Sequence, residues 1–250
     1  MNKRQSEIVD IINSNKHVDT KDLKIKFPDI SDMTIRRDLE ALDEMGLIVR
    51  VHGGAKSLDA IIQSDEKYAK RAVSHLEEKN LIAKKALRYV NAGSTIFLDS
   101  GTSLYALSKI LPDLPMLIFT GNLFAVVELS KLSKPTIEFL GGRFNSQSMC
   151  IDGERSFDYL KDININVAFL GSTSYDESSG FSCGEECGYK LKRKIMENAS
   201  TTIILMDSSK IGFTSAYSFA RLEEVDIVIS DDNLPKNIAE KMRNKGVSVL

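Results

Sequence analysis

From residue 95 onward, short and entirely apolar runs alternate with segments in which apolar residues recur at helical spacing. Apolar strands separated by helices are typical of a parallel sheet that helices cover on both faces. The expected strands lie at residues 95–98, 117–119, 137–140, 167–170, 202–206, 227–229 and 247–250. Helices are expected between most of them, including residues 103–111, 123–132, 188–198 and 235–244. The pattern therefore predicts an α/β domain with a mostly parallel, Rossmann-like sheet.

The beginning of the chain instead indicates three short helices. Apolar residues recur at helical spacing from Ile8, and Thr20 is suited to cap a second helix. Residues 27–30 contain a proline and are expected to form a turn, because proline lacks an amide donor. Ser31 is suited to cap a longer third helix, which is expected to end at Gly46.

A short hairpin is expected after the third helix. Residues 47–51 and 55–57 read as two strands, and Gly53 and Gly54 between them as a tight turn. Three helices with a turn, followed by a hairpin, predict an α+β winged helix-turn-helix. The expected division is a DNA-binding domain at residues 1–57, a linker or linking helix at 58–75, and the α/β domain at 76–250.

Composition indicates a soluble globular protein but does not show whether the chain binds nucleic acid. The chain has 250 residues, of which 42% are hydrophobic and 27% charged, which is ordinary for a soluble globular protein. Its formal net charge is −2, and residues 1–57 contain ten basic and ten acidic side chains. Binding to nucleic acid must therefore come from the local placement of charge.

The cysteines and the apolar runs indicate a cytoplasmic protein. Cys150, Cys183 and Cys187 are an odd number in a long chain, which favours a reducing compartment over a disulfide framework. The three histidines are distant from them in sequence, so neither a metal site nor a cofactor is expected. The apolar runs are far shorter than the ~20 residues of a membrane span, so no membrane partner is expected.

The third helix combines an apolar stripe with a basic surface. Ile35, Leu39 and Leu42 recur at i, i+4 and i+7, which predicts one buried face. Arg36 and Arg37 then lie outside that face, within the first two turns of the helix. This part of a recognition helix enters the major groove, where a guanidinium can pair with guanine or bind a phosphate.

Other side chains near this helix are candidates for DNA contacts. Hydroxyl groups are available at the start of the helix, and basic side chains on the hairpin are suited to the DNA backbone or minor groove. These further candidates are Ser31, Thr34, Arg50, His52 and Lys56. The expected partner is therefore a double-stranded DNA operator.

Two arginines on an arbitrary helix are more often a solvated pair, here neutralised by Asp38 and Glu40. The surrounding sequence instead favours a role in DNA binding for the two arginines. Residues 34–55 have the run TIRRDL, then Leu42, a Gly-Leu pair and the run RVHGGA, and this pattern resembles the signature of DeoR-family regulators. In that family this helix enters the major groove, and the His-Gly-Gly-Ala turn belongs to the wing. The longer turn at residues 27–29 departs from the family, so its base preference is not carried over.

A polar loop follows the first expected strand of the α/β domain. Main-chain amides and hydroxyl groups converge there between a strand and a helix, which favours an anion site at the carboxyl end of the strand. This loop consists of Asp99, Ser100, Gly101, Thr102 and Ser103. An ordinary turn is the alternative interpretation.

Further strand ends have polar or glycine-rich loops, each of which also has a surface turn as its alternative. These candidates are Thr120, Asn122, Gly141, Gly142, Arg143, Asp152, Gly153, Asp176, Glu185, Glu186 and Lys210. Lys210 follows an Asp-Ser-Ser run at a strand end, where a lysine can pair with a phosphate.

The resemblance to the DeoR family continues to residue 231, and it implies an effector domain similar to ribose-5-phosphate isomerase. Two kinds of contact are then implied: a phosphate held by Ser100, Gly101, Thr102, Ser103 and Lys210, and sugar hydroxyls near Asp176 and Glu185 or Glu186. The isomerases have a Lys-Gly-Gly-Gly stretch, whereas residues 180–184 here lack the lysine. We therefore expect binding of a phosphorylated sugar without turnover.

The main hypothesis is a repressor of a carbohydrate-utilisation operon, released from its operator by a phosphorylated sugar. Such proteins bind two half-sites as symmetric oligomers, so a homodimer or higher homo-oligomer is expected. One alternative is a sugar-phosphate isomerase or deaminase with an accessory N-terminal domain. Another is a protein-interaction module that uses the winged helix to bind protein, which predicts no salt-dependent DNA binding.

Overall fold

The computed structural model describes residues 1, 3–15, 17–45, 47–51, 53–57 and 66–250. The chain divides into two compact units, residues 1–70 and 71–250. Two residues named above, Gly46 and His52, lie outside the described residues.

The first unit contains three helices and a three-stranded antiparallel sheet. Its elements are α1 (Lys3–Asn15), β1 (His17–Asp19), α2 (Thr20–Lys26), α3 (Asp32–Glu44), β2 (Ile48–Val51) and β3 (Gly54–Ser57). The strand order is β1-β3-β2, so the predicted hairpin β2–β3 has an additional partner. Residues 17–19, expected only to interrupt the helical pattern, form that strand because their main chain pairs with β3.

The core of this unit comes from the apolar faces of its helices. Ile35 and Leu42 are fully buried and Leu39 is 2% exposed, which confirms the predicted stripe on α3. Ser31 caps α3 as predicted, because its Oγ accepts a hydrogen bond from Thr34 N at 3.2 Å. The α3 surface that carries the arginines is thereby oriented away from the core.

The two glycines of the hairpin turn are required for different reasons. Gly53 has φ +83°, in the left-handed region that L side chains rarely adopt, and its carbonyl accepts a bond from Thr20 N. Gly54 approaches β1 so closely that an added Cβ would lie 2.2 Å from Val18 O. The hairpin therefore requires Gly53 for its left-handed backbone angle, and it requires Gly54 because a side chain there would collide with β1.

We expect Gly54→Ala to destabilise the first unit by about 1–3 kcal/mol, because β1 and β3 must separate to admit the methyl group. Gly53→Ala has open space around it and should cost only about 1 kcal/mol, from its backbone angle. Hydrogen exchange at β1 and β3 amides measures both changes. Equal protection in the two variants would contradict the close approach of Gly54 to Val18.

The second unit is built on a seven-stranded parallel sheet. Its strands, in spatial order, are β15 (Ser248–Val249), β14 (Ile227–Ile229), β12 (Ala199–Leu205), β9 (Ile165–Gly171), β4 (Thr95–Leu98), β5 (Leu117–Thr120) and β6 (Thr136–Phe139). Each neighbouring pair is parallel, which confirms the predicted α/β class.

Helices and short antiparallel strands surround this sheet. The helices are α4 (Glu66–Val73, which spans the boundary of the units), α5 (Leu76–Ala86), α6 (Thr102–Ser108), α7 (Leu123–Leu129), α8 (Glu154–Tyr159), α9 (Glu186–Asn198) and α10 (Lys236–Asn244), with 3-10 turns at Leu87–Tyr89, Ser208–Lys210 and Leu222–Glu224. The remaining strands are β7 (Arg143–Asn145), β8 (Cys150–Asp152), β10 (Ser174–Asp176), β11 (Gly180–Cys183) and β13 (Tyr217–Ala220). They form a hairpin and a three-stranded sheet that the apolar pattern did not predict.

The central strands are buried on both faces, as their apolar sequences predicted. Phe97 and Leu170 belong to one apolar cluster, whereas Ile96, Leu98 and Phe169 belong to another. Successive side chains of a strand point to opposite faces, so the two clusters lie on opposite sides of the sheet.

The order of the strands also fixes where a ligand can bind. From β4 the chain proceeds outward through β5 and β6, and then returns to the other side of β4 with β9 and β12. The direction in which successive strands are added to the parallel sheet therefore reverses between β4 and β9. Open α/β sheets bind ligands outside the carboxyl ends of their strands at such a point.

Candidate functional site

Arg36 and Arg37 are exposed on α3, and neither has an ion pair within the described residues. Asp38, next in sequence, is 5% exposed and is bound instead by Arg4 of α1, with Nε–Oδ2 2.6 Å and Nη2–Oδ1 3.1 Å. Asp38 is therefore used to fasten α1 to α3 and is not the counter-charge of the two arginines.

The second carboxylate that was expected to neutralise the arginines is also bound elsewhere. Glu40 Oε1 accepts a hydrogen bond from Arg50 Nη1 of β2 at 3.3 Å. The main-chain N of Arg50 donates to Asp43 Oδ1 at 3.1 Å, so α3 and the hairpin are joined at two points. Arg36 and Arg37 consequently present two positive charges to solvent at the start of α3.

The other candidates for DNA contacts lie around this surface. Ser31 and Thr34 bond to each other through their hydroxyl oxygens at 2.9 Å, so both belong to the cap of α3. Lys56 pairs through its main chain with His17 and Val49. The side chain of Lys56 and the whole of His52 lie outside what the structure describes.

A cavity of about 460 Å³ lies within residues 71–250, at the carboxyl ends of β4, β9 and β12. The predicted effector residues that line it are Asp99, Ser100, Gly101, Thr102, Ser103, Asp152, Glu185 and Lys210. Further polar residues in its wall, which the sequence did not single out as site residues, are Arg71, Ser74, His75, Lys79, Ser148, Ser172, Thr173, Lys192 and Asp207. Arg71, Ser74 and His75 fall in the segment interpreted as a linker.

Asp99 joins the two central strands beneath the cavity. Its Oδ2 accepts a hydrogen bond from Gly171 N at 2.9 Å and forms an ion pair with Lys192 Nζ of α9. Lys192 Nζ also donates to Gly171 O at 2.9 Å. Because both charged side chains are less than a tenth exposed, this pair is part of the sheet's interior and fixes the loop that begins at Ser100.

We expect Asp99→Asn to lower the free energy of unfolding by about 3–5 kcal/mol, because the buried ammonium of Lys192 then lacks a counter-charge. Adding Lys192→Met to that variant should recover part of the loss, since it removes the uncompensated charge. Urea unfolding of the two single variants and the double variant measures the coupling. Strictly additive losses would contradict it.

Lys210 contributes an unneutralised positive charge to the cavity. The loop that carries it is fixed, because Asp207 Oδ1 accepts from Ser209 N at 3.2 Å and Asp231 Oδ2 accepts from Ser208 N at 2.6 Å. Lys210 itself is half-buried, and no carboxylate lies within 4 Å of its Nζ in the described part of the chain. An anionic ligand would supply the missing charge.

The cavity also contains carboxylates and thiols. Asp152 pairs with Arg143 at 3.2 Å, and Glu185 Oε2 accepts a hydrogen bond from Asn145 Nδ2 at 2.5 Å. Burial raises the pKa of the Cys150 and Cys183 thiols, so both remain protonated at neutral pH. These thiols therefore behave as small apolar wall residues.

Several predicted effector residues have structural contacts and do not line the cavity. Thr120 Oγ1 donates to Leu98 O at 2.7 Å between neighbouring strands. Asn122 caps α7 by accepting from the amides of Phe124 and Ala125, and its Nδ2 donates to Gly101 O at 3.3 Å. Asn122 therefore supports the loop at Gly101 from outside.

The remaining predicted residues lie outside the cavity wall. Hydrogen bonds from Ser178 hold the pKa of Asp176 below its usual range, and an ion pair with Lys190 does the same for Glu186. Gly142 packs against the main chain, where an added Cβ would lie 2.3 Å from Asp152 O. The others in this group are Gly141, Arg143 and Gly153.

There is no group of three or more His, Cys, Asp or Glu side chains in the described part of the chain that could hold a metal ion. Nor is any helix there both long and apolar enough to cross a membrane.

A helix-turn-helix unit with outward arginines, joined in one chain to an α/β unit with a polar cavity, defines a ligand-responsive DNA-binding protein. Residues 4–60 match the family model described as the DeoR-like helix-turn-helix domain, and residues 74–232 match the DeoR C terminal sensor domain. The chain therefore belongs to the DeoR family of transcription regulators.

Individual relatives agree with this assignment. The chain is 31% identical to the HTH-type transcriptional regulator YulB of Bacillus subtilis, over 99% of this chain and 95% of that one. It is 30% identical to the lactose phosphotransferase system repressor of Staphylococcus epidermidis, over 93% and 94% of the two chains. Among solved structures, the chain is similar to ribose 5-phosphate isomerase A from Methanocaldococcus jannaschii. That match covers 55% of this chain and 55% of the isomerase, at 17% identity and TM-score 0.40.

These matches separate the main hypothesis from the enzyme alternative. The family models and the curated relatives describe transcription regulators along nearly the whole chain. The protein is therefore a regulator and not a sugar-phosphate isomerase or deaminase.

Proposed function

We propose that this regulator represses a carbohydrate-utilisation operon in the cytoplasm and leaves its operator when a phosphorylated sugar occupies the cavity. The observation that carries the proposal is the ammonium of Lys210, which lies in the same cavity wall as residues 100–103 and has no carboxylate partner in the described part of the chain. A phosphate monoester matches this wall, because it accepts charge-assisted hydrogen bonds from ammonium, hydroxyl and amide groups.

The acidic part of the wall suits the rest of such a ligand. Asp152 and Glu185 line the same cavity, and carboxylates accept hydrogen bonds from sugar hydroxyls. The name of the staphylococcal relative, a repressor of a lactose transport system, supports a carbohydrate operon as the target.

DNA binding is assigned to the exposed face of α3. Arg36 and Arg37 are proposed to contact base edges or phosphates in the major groove. Ser31 and Thr34 would hold the start of the helix at the DNA backbone, and the hairpin residues Arg50, His52 and Lys56 would contact the adjacent backbone or minor groove. A homodimer, or a higher oligomer built from it, would place one α3 on each operator half-site.

A thermal-shift screen tests the effector class. Pentose and hexose phosphates are compared with the same sugars without phosphate, and a ligand present at 100 times its Kd should stabilise the folded protein by about 2.7 kcal/mol. We expect a phosphorylated sugar to raise the melting temperature and to release DNA from the regulator's own upstream region. Equal shifts with the unphosphorylated sugars would refute the phosphate assignment.

A further inference from the structure

Met33 is an exposed apolar side chain at the start of α3, and it has no part in the DNA contacts considered so far. It is the second residue of the helix and is 64% exposed. Helix positions three and four residues apart are neighbours on the surface, so Met33 adjoins both Arg36 and Arg37. The three side chains therefore form one continuous surface over the first two turns of α3, away from the buried stripe.

The position of Met33 distinguishes it from other exposed apolar residues. Single apolar side chains are common on protein surfaces, so exposure alone does not indicate a contact. Met45 is 50% exposed at the opposite end of the helix, where it is the C-cap residue of α3. Met33 instead lies in the first turn, and in helix-turn-helix proteins the N-terminal residues of the recognition helix contact the base edges.

The chemistry of a methionine side chain restricts what Met33 can contact in the major groove. Base edges there present hydrogen-bond donors and acceptors, and thymine adds an apolar C5-methyl group. A thioether donates no hydrogen bond and accepts only weakly, but its unbranched, polarizable chain adapts well to an apolar surface. Met33 therefore favours thymine, whereas a guanidinium favours guanine or phosphate.

We propose that Met33 contacts the C5-methyl group of a thymine in the operator, next to the group that Arg37 binds. The inference rests on the proposed function, because it assumes that α3 lies in the major groove. It adds a specificity-determining residue whose contact is apolar. Loss of this side chain should relax the preference for thymine at one position of each half-site and leave the salt dependence unchanged, since no phosphate contact is removed.

The test removes the same contact from either partner. A fragment of the regulator's own upstream region is amplified once with dTTP and once with dUTP, because uracil pairs as thymine does but lacks the C5-methyl group. Full-length wild-type protein should bind the uracil fragment more weakly, by about fourfold for each thymine that Met33 contacts, which is the effect of one buried methyl group. In Met33→Ala the loss on uracil replacement should be smaller by this factor.

Two further variants control the comparison, and gel-shift titration gives the affinity of each protein for both fragments. Met45→Ala removes an exposed methionine from the other end of α3 and should keep the full loss on uracil replacement. Met33→Leu keeps an apolar side chain and should retain more of the thymine preference than Met33→Ala. Both positions lie outside the core, so these substitutions should leave the fold unchanged.

The outcomes also separate this inference from the proposed function. If Met33→Ala loses as much affinity on uracil replacement as the wild type, the role of Met33 is wrong. The assignment of α3 then remains, provided that Arg36→Ala or Arg37→Ala weakens binding to the thymine fragment. If both arginine variants bind like the wild type, or if the wild type does not bind the fragment, the proposed function fails and the role of Met33 fails with it.

Discussion

Replacing Arg36 or Arg37 by alanine is expected to lower the affinity for operator DNA by about ten- to a hundredfold in each variant. A guanidinium that pairs with a base edge contributes about 1–3 kcal/mol of discrimination, and both groups are exposed and have no ion pair with any residue that the structure describes. The fold should be unchanged, because the apolar face of α3 that packs in the core is not altered. Gel-shift titration with the regulator's own upstream DNA measures the loss.

The matched control for these variants is Arg155→Ala, which removes an exposed arginine of α8 in the second unit. It should keep the wild-type affinity. Salt dependence then separates the two kinds of contact, because an arginine that binds phosphate also reduces the slope of log K against log salt by about 1. If Arg36→Ala and Arg37→Ala both bind like the control, α3 is not the recognition helix.

Lys210→Gln is expected to abolish most of the effector response while it leaves operator affinity unchanged. A hydrogen bond to a charged group contributes about 1.5–3 kcal/mol, so the phosphorylated sugar should be needed at ten- to a hundredfold higher concentration for release of DNA. The substitution removes the charge and leaves a polar side chain that is shorter by one atom. Release of labelled operator DNA, followed by fluorescence anisotropy as the sugar phosphate is added, gives both quantities.

Lys134→Gln, at an exposed position of the same unit, is the control for this experiment. A fall in operator affinity in Lys210→Gln, with an unchanged response to the sugar, would show that Lys210 serves DNA binding or stability. The phosphate would then have to bind elsewhere in the cavity.

Patterns within the sequence predicted the main elements of both units because they depend on short-range physics. The stripe of Ile35, Leu39 and Leu42 repeats with the period of a helix, and Ser31 caps that helix through an atom three residues away. The strands of the parallel sheet are apolar because both of their faces are covered. The strand β1 was missed because its partner β3 is distant in sequence, and β10 was missed because it is short and its composition is not apolar.

The candidate ligand site was predicted in part. Residues 99–103 and Lys210 follow strands directly, so their place at the carboxyl edge of the sheet can be read from the order of elements. Asp176 and Glu186 also lie near strand ends, but Asp176 accepts hydrogen bonds from Ser178 at the end of β10, and Glu186 pairs with Lys190 on the surface of α9. Lys79 and Lys192 gave no local signal, because a lysine in a helix is normally at the surface.

The sequence by itself determined the fold class, the family and the face of α3 that is proposed to contact DNA, since periodicity, capping and a motif of fixed spacing act over a few residues. Only the tertiary structure decided which charges are neutralised. Asp38 pairs with Arg4, Glu40 with Arg50 and Asp99 with Lys192, so that among the described residues Arg36, Arg37 and Lys210 have no carboxylate partner. Ion pairs form between groups that folding brings within 4 Å, and that proximity is a property of packing that no local pattern contains.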